Sequence, residues 1–418
     1  MHNLLPRFIQ QRFTAGEHHG AFAAATLFCD LSGFTALTRR LTSHGPEGAE
    51  VLSGIINDTF RPMINEIYRY GGFVTGFAGD AMTAVLPDDP AKARLTAAAV
   101  AAAFERRRIQ HSRLGRVELA LRIGLSGGRV EWGIPGAGLH TWYFRGPAVE
   151  RCARLGDRAE PGVVLFDEHY FGKPSSPTAE AVRPRLPRRR EIHRRVGRLF
   201  FPEQVIEFAG RGEFRDAAAL FIGFTDRGHA ELDALATPVL ELSEGYGGYF
   251  ASPEFADKGP LMLVIFGAPV SYERTLERAA DFALSVAEQA EEPLRMGLGW
   301  GTVYAGLIGS RRRCTYSLIG DPINLAARLC QRAAPGAILS APAAADDLAS
   351  GYRLQPQPSA GLGRAEPAER AVRLEGRRRR PAALGSSGPF YGRRDELKLL
   401  EQRLLERTGA GGTVYIYG

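Results

Sequence analysis

From Glu47 to Tyr70 the apolar residues Val51, Leu52, Ile55, Ile56, Phe60, Met63, Ile64 and Ile67 recur at steps of three and four. That period lines one face of a helix, and Gly71 marks its end. Ahead of it, "LFCDL" (27–31) reads as a short buried strand. After it, "FVTGF" and "MTAVL" flank "AGDA", which predicts a hairpin with Asp80 at or near its tip. An Ala-rich helix, a strand at "LALRIGLS", another ending at "WYFRG" and a helix from Ala148 complete the segment.

The same series occurs a second time. "YGGF" (70–73) matches "YGGY" (246–249), "RIGLSGGRV" (122–130) matches "RMGLGWGTV" (295–303), and "GPAVERCARL" (146–155) matches "GDPINLAARL" (320–329). The spacing is kept along with the residues, so a whole domain is duplicated, the second copy running from about Phe214 to Leu374. Each copy reads β-α-β-β-α-β. This is the order of a ferredoxin-like α+β domain, an antiparallel sheet with helices packed on one face.

Composition adds limits. The 418 residues are 44% hydrophobic, enough for two or three domains with their own cores. Four cysteines lie far apart at 29, 152, 314 and 330, which fits a reduced setting. No apolar run reaches signal-peptide or membrane-span length, so a cytoplasmic protein with no membrane contact is expected. The net charge of +7 is concentrated in "RPRLPRRREIHRRVGR" (183–198) and "RRRR" (377–380). Without interleaved aromatics to stack on bases, these read as solvated linkers rather than a nucleic-acid surface.

Two acids in the first copy suggest chemistry. Asp30 ends a buried strand and Asp80 lies on the neighbouring hairpin, so the fold can bring them together. Paired hard oxygen ligands with room for substrate phosphates suit Mg²⁺. Singly, each acid is also explained as a turn residue. The second copy has Gly223 where the first has Asp30, and Asn324 where the first has Glu150.

"LFCDLSGFTALTRRL", "GFAGDAMTAVL" and "YSLIGDPINLAARL" resemble the three signature stretches of class III nucleotidyl cyclases, and the tandem arrangement resembles soluble adenylyl cyclases in particular. The resemblance implies two ferredoxin-like class III cyclase domains paired as an intramolecular pseudo-heterodimer, with ATP as substrate and the chain a monomer. It divides the chain into an amino-terminal segment (1–20), a first cyclase domain (21–172), a linker (173–213), a second cyclase domain (214–375), a linker (376–389) and the start of a P-loop NTPase-like region (390–418). The phosphate-binding loop itself, G-x-x-x-x-G-K-[ST], is absent, and a chain cut at a domain edge with a downstream NTPase region is expected.

By the same resemblance, Asp30, Asp80 and the Leu31 carbonyl hold two Mg²⁺ ions, for which Mn²⁺ can substitute. Asn324 orients the ribose and Arg328 stabilises charge on the reacting phosphate; their four-residue spacing puts both on one helix face. Ser317 falls where the base edge is read. Counting from "YGGY" puts Ser252 at the place of the adenine-reading lysine, and Lys258 comes later. Either the hairpin register brings Lys258 in or that lysine is missing. No glutamate–cysteine pair of the guanylyl type is present, which favours ATP over GTP. The lysine tied to bicarbonate activation in soluble adenylyl cyclases is replaced by Gly76, which puts that control in doubt. The reading is an adenylyl cyclase with one working site; the alternative is a catalytically inactive nucleotide-binding regulator of a downstream NTPase.

Overall fold

The computed structural model describes residues 3–172, 183–189, 191, 193–208, 212–256, 259–357, 371–378, 398–399 and 402. After α1 (Arg7–Thr14), the first half runs β1 (His19–Ser32), α2 (Phe34–Thr42), α3 (Gly45–Arg69), β2 (Phe73–Ala78), β3 (Ala81–Leu86) and α4 (Pro90–Glu105). It continues through a small hairpin, β4 (Ile109–Ser112) and β5 (Gly115–Glu118), then β6 (Ala120–Gly133), β7 (Tyr143–Arg145), α5 (Pro147–Arg158), β8 (Val164–Phe166) and α6 (Glu168–Phe171). Two short helices, α7 (Arg194–Gly197) and α8 (Glu203–Ile206), precede the second half.

That half comprises β9 (Glu213–Gly223), α9 (His229–Gly245), β10 (Gly248–Phe250), β11 (Glu254–Ala256), β12 (Gly259–Phe266), α10 (Thr275–Gln289), β13 (Arg295–Ser310), β14 (Arg313–Ile319) and α11 (Asp321–Arg332). It closes with β15 (Ile338–Ser340), α12 (Pro342–Leu348), β16 (Tyr352–Pro356) and β17 (Val372–Arg377). One sheet is ordered β2-β3-β1-β6-β7, and the other contains β10-β12-β9-β13. In both, the first strand of the half lies between the third and fourth, as the βαββαβ pattern requires. Residues Met1–Gly376 form one compact unit, and residues from Arg377 onward form a separate one. The predicted NTPase-like start lies outside the described residues, apart from residues 398, 399 and 402.

Two expectations about the sheet need correction. The sheets are mixed, because β8 runs parallel to β6 and β15 parallel to β13. The helices also cover both faces. Ala25, Leu27, Cys29 and Leu31 share a core with Ile56, Phe60, Val100 and Phe104 of α3 and α4. The alternate residues face α5: Thr26 Oγ1 donates to the Ala148 carbonyl at 2.8 Å, and Phe28 packs with Cys152 and Ala153. The run "AAATLFC", apolar except for Thr26, carries this signal, since a strand covered on one side alternates apolar with polar.

A second core joins the halves. Leu4, Leu5, Ile9, Val130, Trp132 and Phe144 belong to one buried cluster with Ala217–Ile222 and Phe266. Arg313 of β14 is only 1% exposed and donates to the carbonyls of Leu4 (2.6 Å), Val74 (3.3 Å) and Thr75 (3.2 Å), besides that of Cys314. A buried guanidinium is tolerated when its donors are satisfied, and here they tie β2 to β14.

Candidate active site

Asp30 lies near the end of β1, opposite Ala81 of β3 and Arg122 of β6. Asp80 follows Gly79, whose φ of +61° lets the β2–β3 turn close without Cβ strain. The Leu31 amide donates to the Asp80 carbonyl at 3.3 Å, stitching the two acid-bearing segments together. The Asp30 carboxylate, 15% exposed, accepts from the Arg122 guanidinium. Burial first, and then the charge of Asp30, push the Asp80 carboxyl up to about 7, against its own backbone hydrogen bond and Arg122. Two carboxylates this close disfavour joint ionisation, and a divalent cation relieves that repulsion.

The donor set therefore fits Mg²⁺: hard oxygens, too few for an all-protein cage, with the remaining positions left to water and phosphate. Among the described residues no group of three or more His, Cys, Asp or Glu could hold a metal by itself. The Leu31 side chain is fully buried, so only its main chain can serve the site. Arg122, which neutralises Asp30, was not anticipated from sequence. Its signal is cross-strand register, which a linear reading does not contain.

The second sheet carries the same frame without the acids. Gly223 pairs with Leu261 and Arg295 as Asp30 pairs with Ala81 and Arg122. The Phe224 amide donates to the Pro260 carbonyl at 3.4 Å, the counterpart of the Leu31–Asp80 bond. Pro260 thus stands in the place of Asp80, and both acids are missing from this half.

Asn324 and Arg328 lie one turn apart on the exposed side of α11, whose opposite side buries Ile323, Ala326, Leu329 and Cys330. Gly297 and Gly299 let α11 sit almost backbone-to-backbone on β13: a methyl group at Gly297 would overlap the Ala326 carbonyl and the Cys330 amide, and one at Gly299 the Pro322 carbonyl. Ser317 is 8% exposed on β14, opposite Gly306. Ile319, at the end of that strand, is buried in the core of the first half. Arg39 of α2, close after Asp30 in the chain, pairs with Asp321 in the first turn of α11 at 2.8 Å. Asp30, Asp80 and Leu31 are therefore brought together, and the segment bearing Ser317, Asn324 and Arg328 is fastened to the same half. Lys258 lies outside the described residues.

The counterpart region across the molecule is filled. Phe255 of β11 is buried against Tyr143 (5.8 Å between rings) and Phe224 (6.1 Å). Arg145, buried, pairs with Asp226 and with Glu131 at 2.7 Å. A cavity of about 60 Å³ remains between Gly76, Phe77 and Tyr143 on one side and Ser252, Glu254 and Phe255 on the other.

Residues 259–361 match the adenylate and guanylate cyclase catalytic domain. Over 387 residues the chain is 22% identical to adenylate cyclase type 10 of Rattus norvegicus, covering 74% of this chain and 24% of that protein. It spans about a quarter of the length of such curated relatives. A stretch of 96 residues is 36% identical to an uncharacterized protein of Mycobacterium tuberculosis, covering 21% of this chain and 18% of the other. In fold, 78% of the chain superposes on 85% of a class III adenylyl cyclase-like ATP-binding protein from Pseudomonas aeruginosa, with a TM-score of 0.55 and 11% identity. No helix among the described residues is long and apolar enough to cross a membrane. The chain thus carries a class III nucleotidyl cyclase domain, and along three quarters of its length it is homologous to adenylate cyclase type 10.

Proposed function

We propose that this chain is a cytoplasmic adenylyl cyclase, converting ATP to cyclic AMP and pyrophosphate at one site between two halves that pair as a pseudo-heterodimer. The observation that carries the reading is the asymmetry of an otherwise repeated frame. Asp30 and Asp80 stand where the second half has Gly223 and Pro260. Asn324 of the second half stands where the first has Glu150. One composite site keeps every part.

In this reading Asp30, Asp80 and the Leu31 carbonyl hold two Mg²⁺ ions. The ions, when bound, supply positive charge that favours the ribose 3′-alkoxide and the departing pyrophosphate. Asn324 holds the ribose so that its 3′-oxygen faces the α-phosphorus, and Arg328 donates its forked N–H groups to the α-phosphate oxygens as charge builds there. The reaction joins atoms of one molecule, so positioning and fixed charge supply most of the acceleration. Ser317, buried on β14, offers a donor and an acceptor to the base edge, with Lys258 the further candidate.

The test is purified protein with ATP and Mg²⁺ or Mn²⁺, with chromatographic detection of cyclic AMP, beside Asp30→Ala. Product from the wild type and not from the variant supports catalysis. ATP bound tightly with no product would instead favour a nucleotide-sensing regulator, the reading that Ser252 at the lysine position allows.

A further inference from the structure

The arginine-rich stretch before the second half has no part in the chemistry above, yet it is pinned to both halves. Arg69 Nη1 donates to the Pro184 carbonyl at 2.9 Å, Arg183 pairs with the buried Glu66, and Arg312 Nη2 donates to the Pro187 carbonyl at 2.9 Å. Beside this segment opens a groove of about 650 Å³. Arg61 and Asn65 of α3, Arg189 of the linker, and Arg311 and Arg312 of the β13–β14 turn line it.

The charge balance of this groove is uneven. Among the described residues no carboxylate lines it; Arg61 pairs with Asp58 and Arg189 with Glu191. Arg311 has no protein partner among the described residues, and the Nε of Arg312 is buried without a hydrogen-bond acceptor. Burial, and then the nearby Arg189 charge, pull the Arg312 guanidinium below its ordinary pKa, although Tyr68 works the other way. Guanidiniums that merely decorate a surface spread apart into water. Here three chain segments bring four of them around one concavity with hydrogen-bonding capacity unspent. Planar forked donors at such density match phosphate oxygens. The volume is that of a small-ligand pocket.

We propose that this groove is a second anion site, taking a small polyphosphate group, either free or as the phosphate portion of a larger molecule. Bound there, the anion bridges α3 of the first half, the β13–β14 turn of the second and the linker between them. Its occupancy therefore stiffens the joint between the halves.

The probe is pyrophosphate in EDTA, titrated calorimetrically into the whole chain at low ionic strength, where such contacts are strongest. The expected result is one-to-one binding, kept in Asp30→Ala and weakened about tenfold or more in Arg189→Glu/Arg311→Glu. Both substituted arginines are exposed, so an unchanged thermal midpoint and circular dichroism spectrum serve as the folding control. Vesicles of phosphatidylcholine with phosphatidic acid, and a short single-stranded oligonucleotide, form the other arms. Vesicle binding that pyrophosphate displaces, and that the double variant loses, supports the site with a lipid headgroup as the natural source. No pyrophosphate binding, binding indifferent to the arginine substitutions, or preference for the oligonucleotide overturns the proposal. Loss of binding in Asp30→Ala overturns it too, by assigning the anion to the cyclase site. Because divalent metal and turnover are absent from the assay, failure of the cyclase reading leaves this result untouched.

Discussion

Gly297→Ala tests whether α11 holds the catalytic groups. The added methyl would overlap the Ala326 carbonyl and the Cys330 amide, so helix and strand must separate by about 1 Å to reach ordinary contact. Asn324 and Arg328 ride on that helix and move with it. Overpacking of this kind costs about 1–3 kcal/mol, and a 1 Å misplacement of reacting groups costs roughly 100-fold in rate. Gly124→Ala is the matched control. Its methyl would overlap the Cys152 carbonyl and the Gly156 amide, displacing α5 in the same way, but α5 carries Glu150 and Arg154 of the filled counterpart region. The assay is cyclic AMP formation at saturating ATP, alongside thermal unfolding. Both variants should lose a similar few degrees of thermal midpoint, while kcat falls about 100-fold for Gly297→Ala and only a few-fold for Gly124→Ala. Equal losses of activity, or the reverse order, would refute the assignment of the working site to α11.

Three further outcomes follow from individual groups. Arg328→Lys should keep the fold and ATP affinity yet lose kcat by about 10- to 100-fold, because an ammonium cannot bridge two phosphate oxygens; steady-state kinetics separates kcat from KM. If Lys258 reads the base, Lys258→Ala should raise KM for ATP more than it lowers kcat, whereas unchanged kinetics would leave adenine recognition to other groups such as Ser317. Burial alone pushes Glu254 up to about 8, so the folded chain keeps a proton there that the unfolded chain has lost. The contribution of this group is thus greatest below the unfolded value and is lost as pH rises through about 8. The part of the decline between pH 6 and 8.5 that belongs to Glu254 is at most about 3 kcal/mol, because the carboxyl borders a small cavity. Urea midpoints should fall less in Glu254→Gln than in wild type, the remainder coming from Asp80, whose carboxyl is also raised.

Most of the frame was legible because it rests on local periodicity and on repetition. The amphipathic run from Val51 to Ile67 appears as α3, and the acid-bearing hairpin appears with Asp80 in its turn. What escaped depends on pairing between distant segments. Arg122 meets Asp30 only because β6 lies beside β1 in one register, and Pro260 is recognised as the counterpart of Asp80 only through the matching Phe224 hydrogen bond. The β4–β5 hairpin was missed because "IQHSRLGRVE" is mostly polar and lacks the alternation that marks a half-buried strand. The one-face expectation for the helices fails because Ala25, Leu27, Cys29 and Leu31 of β1 are buried against α3 and α4, while Thr26 and Phe28 are buried against α5.

The unequal halves also explain why the lost acids are not a simple deficit. A Cβ at position 223 would approach Cys330 Sγ to 3.1 Å, so a carboxylate there would meet a filled space. The residue corresponding to Cys330 in the first half is Gly156, beside the strand that carries Asp30. The two places are filled differently: the Phe28 ring occupies the space beside Gly156, whereas the Cys330 thiol borders Gly223. Phe255 and the Arg145–Asp226 pair fill the same side of the molecule further out. Replacing Gly223 with aspartate would thus restore a ligand without restoring a cleft. On that side the halves are held by packing instead, Phe255 against Tyr143 and Arg145 against Asp226.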